Sequence, residues 1–110
     1  MKEVTKYDEF AALSKYVQTY LDSVSQNLSE WKWLYNRGIS KGEIPAAALV
    51  DYRTNADDAV MGLRGMACEV YNSRLPEYAQ TELLAPVAKL LMEAEEFYQA
   101  ITLAAAFPAS

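Results

Sequence analysis

The stretch from residue 49 to residue 70 most limits what this chain can fold into. Leu49, Tyr52, Ala56, Ala59, Leu63, Met66 and Val70 recur at alternating spacings of three and four residues, which lays one unbroken apolar seam along a helix. A half-buried strand would instead place its apolar residues at every second position. An isolated helix gains little by itself, so a seam of this kind needs another apolar surface to cover it.

Two other segments supply that surface. Phe10, Leu13, Val17, Tyr20, Leu21 and Val24 repeat at helical spacing, and the stripe steps on through Leu28, Trp31 and Tyr35. Thr5 with Asp8 three residues on has the form of a capping box, which puts the helix start near Tyr7. Residues 23–29 are weak helix formers and allow a bend, but the pattern predicts one helix over 7–37. Gly38 is placed to end it, residues 38–44 read as a loop, and Pro45 suits the first turn of a helix over 45–72. A short turn through Ser73, Arg74 and Leu75 leads to Pro76 and Glu77, where a third helix opens and runs to about residue 105. Its stripe is Leu83, Leu84, Val87, Leu90, Leu91, Ala94, Phe97, Tyr98 and Ile101. Pro86 lacks an N–H for the carbonyl of Glu82, so a kink or break is expected near Ala85. The tail over 104–110 is expected to fray.

Helices of this length joined by short connections run antiparallel. The expected fold is therefore all-α, an elongated antiparallel three-helix bundle forming a single helical domain over 1–110. At 110 residues with 52% hydrophobic content, the chain is long enough to bury a core without disulfides or metal. Only 4 glycines and 4 prolines argue against a loop-rich or disordered chain.

Charge and composition exclude several functions. With 10 Lys and Arg against 15 Asp and Glu, the net charge of −5 offers no footprint for nucleic acid or an anionic membrane. The acidity concentrates after residue 76, where Lys89 alone stands against Glu77, Glu82, Glu93, Glu95 and Glu96. No apolar run approaches the length of a membrane span. One cysteine and an N-terminus without a signal-peptide pattern lead to the expectation of a cytoplasmic protein.

The absence of histidine removes the commonest general base and metal ligand, and with it triads, the usual zinc sites and di-iron bundles. Asp57 with Asp58, and Glu93 with Glu96, read as solvated acidic faces, because a Ca²⁺ site needs six or more oxygens from a tight loop. Cys68 has no base beside it in sequence and reads as a structural residue. Gly62 and Gly65 fall inside a helix, not after a strand, so they cannot cradle a phosphate. With Ala59 they give the second helix a shallow side that another chain segment can approach. The expectation is a non-catalytic protein with no cofactor and no metal, and no family motif can be laid on the chain residue by residue.

Apolar residues on the outward side of each helix are the most informative feature. At about 100° per residue, Trp33 stands almost opposite the first seam, Met61 opposite the second, and Met92 with Leu103 opposite the third. Trp31 and Trp33 diverge by about 200°, so one helix face cannot bury both. Trp31 continues the stripe into the core. Trp33 is then left with Glu30 and Arg37 as a polar rim, which is the outline of a protein-binding hot spot. A competing expectation has Trp33 covering the 38–44 loop or the C-terminal tail. Met61, Gly65 and Cys68 share a second weakly apolar side of the second helix, which points to a homodimer.

The expected function is a small acidic cytoplasmic protein-protein interaction module, in which Trp33, Arg37, Glu30, Met61, Gly65 and Met92 contact another protein. A stoichiometric inhibitor or adaptor fits best, a phage-encoded blocker of a host machine being one form of it. Two alternatives are a helical bundle enclosing a small apolar ligand and an acidic mimic of nucleic acid.

Overall fold

The structure, a computed structural model, describes residues 6–41 and 46–106, with side chains over 8–38 and 48–104. It consists of three helices, α1 (Lys6–Lys41), α2 (Ala46–Tyr71) and α3 (Glu77–Ala106), in an all-α three-helix bundle. The bundle is elongated, 65 × 19 × 18 Å, as helices of 36, 26 and 30 residues at about 1.5 Å per residue require.

The end of α1 differs from expectation. Gly38 does not end α1, which continues to Lys41. A glycine inside a helix costs only about 1 kcal/mol, too little by itself to end one. Residues 42–45, including the expected start of the second helix at Pro45, lie outside the described residues, as do Thr5 and residues 107–110. Pro86 sits within α3 without breaking it. Its ring is exposed, and the lost bond to the Glu82 carbonyl is compensated by the packing of Leu83, Val87 and Leu90, all buried on the other side.

The connection between α2 and α3 is tied by its own hydrogen bonds. The Asn72 amide donates to the Cys68 carbonyl at 2.9 Å, and both the Ser73 amide and the Ser73 hydroxyl donate to the Val70 carbonyl, at 3.1 and 2.6 Å. The Pro76 carbonyl accepts from the amides of Ala79 and Gln80, and Gln80 Nε2 closes the turn on the Ser73 carbonyl at 3.0 Å. This turn also buries Leu75, which the helical periodicity did not include in any stripe.

All three seams meet in one hydrophobic core. Val17, Leu21, Leu28 and Tyr35 come from α1, and Ala56, Leu63, Met66 and Val70 come from α2. Leu83, Val87, Ala94, Phe97 and Ile101 complete it from α3. Val60 and Ala79 join them although neither lies on the expected stripe, because each helix here is covered by two neighbours and buries a wider arc than a single seam. No described polar or charged residue is buried, and no buried side-chain nitrogen or oxygen among the described residues lacks a partner.

The three interfaces are not equal. α2 and α3 pack most closely, while α1 lies against both at wider spacing. Rings fill the wider gap: Trp31 stands edge-on to Tyr52 with centroids 5.1 Å apart, Tyr35 meets Tyr52 at 5.9 Å, and Tyr35 meets Phe97 at 5.5 Å. Edge-to-face pairs of this kind add about 0.5–1.5 kcal/mol each beyond their area. The Tyr35 hydroxyl donates to the Ala100 carbonyl at 3.4 Å. Polar links at the α2–α3 surface are weaker. Arg64 pairs with Glu95 at 3.0 Å, but side-chain exposures of 62% and 40% leave this bridge largely screened by water.

Leu63 is fully buried where all three helices meet. Leu63→Ala is expected to lower stability by about 2–5 kcal/mol through lost transfer energy and the cavity left behind. A loss below about 0.5 kcal/mol on chemical denaturation, the range of surface changes, would remove the seam from the core.

Candidate interaction surfaces

Once the seams are buried, each helix keeps apolar side chains on its outward side. Trp33 is 58% exposed, Met61 62%, Met92 62% and Leu103 59%, as their angles predict. They lie on three different helices, so the residues expected to form one partner surface, Trp33, Arg37 and Glu30 with Met61, Gly65 and Met92, are distributed over three outward faces.

The α1 face is the best formed. The Arg37 guanidinium carbon lies 5.1 Å from the centroid of the Trp33 ring, within range of a cation–π contact worth about 0.5–1 kcal/mol at an exposed site. Ser29, Glu30, Trp33 and Leu34 together line a shallow depression. Leu34, 43% exposed, was not singled out by periodicity because it lies off the direction opposite the seam. Residues 38–41 extend α1, while residues 42–44 and 107–110, the rest of the cover expected for the indole, lie outside the described residues.

The α2 face separates the two glycines. A Cβ built at Gly62 would collide with the Tyr20 hydroxyl, so the shallow side of α2 receives the tip of an α1 side chain there. At Gly65 an added Cβ would meet nothing within 4 Å. Cys68 is exposed, on the outward side it was expected to share with Met61 and Gly65. Val50, 63% exposed, precedes Met61 by about three helical turns and shares its side, a match that counting angles back from Met61 would have found. Tyr71 and Tyr78, 67% and 77% exposed, flank the α2–α3 turn.

Between α1 and α2 the structure opens a cleft of about 330 Å³. Tyr20, reaching to Gly62, closes one end, and Trp31, standing on Tyr52, closes the other. Ala56 and Ala59 on α2 are too small to fill the space between, so Leu28 and Phe97 form its floor and Asn27, Asn55 and Asp58 line it as well. No single-helix pattern announces such a site, because it exists only where two helices are held apart. Its polar side chains distinguish it from the apolar enclosure expected for a ligand-binding bundle.

Among the described residues, no three His, Cys, Asp or Glu side chains group to hold a metal, and no helix is long and apolar enough to cross a membrane. Compared with known proteins, the chain matches no family model, no curated protein and no solved structure.

Two results follow for measurement. Gly65→Ala is expected to stabilise the protein by about 0.5–1 kcal/mol, the helix-propensity gain at an open position. Gly62→Ala is expected to gain less, because the Tyr20 ring must swing aside, and equal gains on thermal unfolding would show that the contact carries no weight. Burial pushes the Tyr20 hydroxyl above the ordinary tyrosine range, with Tyr16 adding a smaller push, and burial does the same for Tyr35. The neutral phenols are therefore favoured by folding, so this stability is complete below about pH 10, the unfolded value, and is lost as pH rises through the raised folded values. Denaturation midpoints are expected to be level across that limit only in a Tyr20→Phe, Tyr35→Phe double variant.

Proposed function

We propose that this protein is a non-catalytic protein-protein interaction module whose principal contact surface is the outward face of α1 around Trp33. The observation that carries this reading is the pre-positioned indole: 58% exposed, capped by Arg37, and set beside Leu34 in an apolar depression with Glu30 at its edge. Exposing a tryptophan contributes little to folding, whereas Trp and Arg dominate binding hot spots. The partner that fits is a protein with an apolar pocket for the indole, edged by an acidic group for Arg37 and a basic group for Glu30.

Shape adds support. A compact monomer of 12.3 kDa would expose about 6,100 Å², whereas this chain exposes 7839 Å². The difference exceeds the roughly 800 Å² that each partner contributes to a standard interface. An elongated rod with apolar residues on several sides suits a stoichiometric inhibitor or adaptor that works by occupying another protein's surface, a role open to a phage-encoded blocker. A reducing compartment such as the cytoplasm suits the exposed thiol of Cys68.

The α2 face supports self-association as a second contact. Gly65 bears no steric duty within the chain, yet it costs helix stability beside exposed Met61. A dimer that Gly65→Leu returns to a 12.3 kDa species in sedimentation equilibrium is the expected result, and a monomer at high concentration would remove this surface.

Trp33→Ala tests the principal reading. Stability is expected to change by no more than about 0.5 kcal/mol, while affinity for the partner captured by the wild type falls about 30-fold or more, near 2 kcal/mol. Tyr78→Ala, removing an exposed ring at the other end of α3, is expected to retain the same partner. Equal capture by Trp33→Ala and wild type, compared by quantitative mass spectrometry, would overturn the assignment.

A further inference from the structure

We propose that the cleft between α1 and α2 binds a small organic ammonium ion carrying an apolar body. This site lies on the inward flank of α1, away from Trp33, and is independent of the protein-binding surface. Its architecture comes from two aromatic contacts that hold α1 off α2, Tyr20 over Gly62 and Trp31 on Tyr52, while Ala56 and Ala59 leave the space between them open. At about 330 Å³ it lies at the small end of ligand sites.

The lining selects the chemistry. Asp58 is the one charged residue lining the cleft, and no Lys or Arg among the described residues faces it there, so an anion is repelled. Asn55 gives one of its two amide N–H groups to the Asp51 carbonyl at 2.8 Å, which fixes the side chain and leaves its carbonyl oxygen open to a ligand. The net charge of the lining is therefore negative, and a ligand that carries positive charge and donates hydrogen bonds to the Asp58 carboxylate satisfies it. Tyr20 and Trp31 supply aromatic rings at both ends, and such rings attract an organic cation through their π faces. Val24, Ala59 and the rings of Tyr20 and Trp31 are only partly buried, an apolar wall that a bare metal ion would leave unused and an alkyl or aryl body would cover. A purely apolar ligand would make no use of the Asp58 carboxylate at the rim, whereas an ammonium group gains a charge-assisted contact there.

The test is a titration of the ¹⁵N-labelled full chain with phenethylammonium chloride at pH 7, with the neutral near-isostere 2-phenylethanol alongside. Phenethylammonium is expected to shift the Trp31 indole N–H, the Asn27 and Asn55 side-chain amides and the backbone around Ala56 and Ala59. The alcohol is expected to bind about tenfold more weakly, the size of one desolvated cation–π or charge-assisted contact. Asp58→Asn, at an exposed position, is expected to lose that preference, while Asp57→Asn, with the same change in net charge on a residue outside the cleft, is expected to keep it. Equal binding of amine and alcohol, an Asp58→Asn variant indistinguishable from wild type, shifts scattered over other surfaces, or no shift up to about 20 mM, weaker than a millimolar site gives, would each overturn the proposal.

Discussion

Four aromatic rings hold α1 to the other two helices. Trp31 and Tyr35 reach from α1 to Tyr52 on α2, and Tyr35 continues to Phe97 on α3. Ring pairs bury large areas in fixed edge-to-face geometry, so they set a distance between helix axes as well as an attraction. Small side chains would let α1 settle as close to α2 as α3 does. Because rings occupy the contact points, α1 stands further off.

That spacing shapes the remaining surface. Between the two aromatic contacts the alanines of α2 face open space, and the cleft follows from the mismatch between large rings at its ends and Cβ-only residues at its centre. The rotation of α1 is fixed by the same rings. With Trp31 committed to Tyr52, Trp33 has no choice but to face outward, where Arg37 folds over it. One packing decision in the core thus produces an inward cleft and an outward anchor on opposite flanks of the same helical turns. Neither surface draws on buried charge, since no described polar residue is buried.

The molecule carries its charge on the surface, since no described charged residue is buried. Its carboxylates are spread along exposed helix faces and do not converge on a metal-sized group among the described residues. What remains are aromatic rings, methionines and a rod-like outline that exposes more area than a compact domain of equal mass. Apolar contact area of this kind suits the recognition role proposed above.

Periodicity alone determined that three helices form and which stripes they bury, because the spacing of Leu63, Val70, Val87 and Ile101 leaves a helix no other way to hide them. It also determined that Trp31 and Trp33 part company and that Met61, Met92 and Leu103 face outward, since these are consequences of turning about 100° per residue. Local signals decided less: Gly38 looked like a terminator, but its small cost cannot stop a helix whose last turns are anchored by Tyr35. Only the tertiary structure separated Gly62 from Gly65, because one meets Tyr20 across the interface and the other meets nothing. It alone buried Leu75 and Val60 and brought Asn27, Asn55 and Asp58 to one cleft. These outcomes depend on the distance and rotation between helices, which side chains from separate segments settle jointly and which no stretch of one helix encodes.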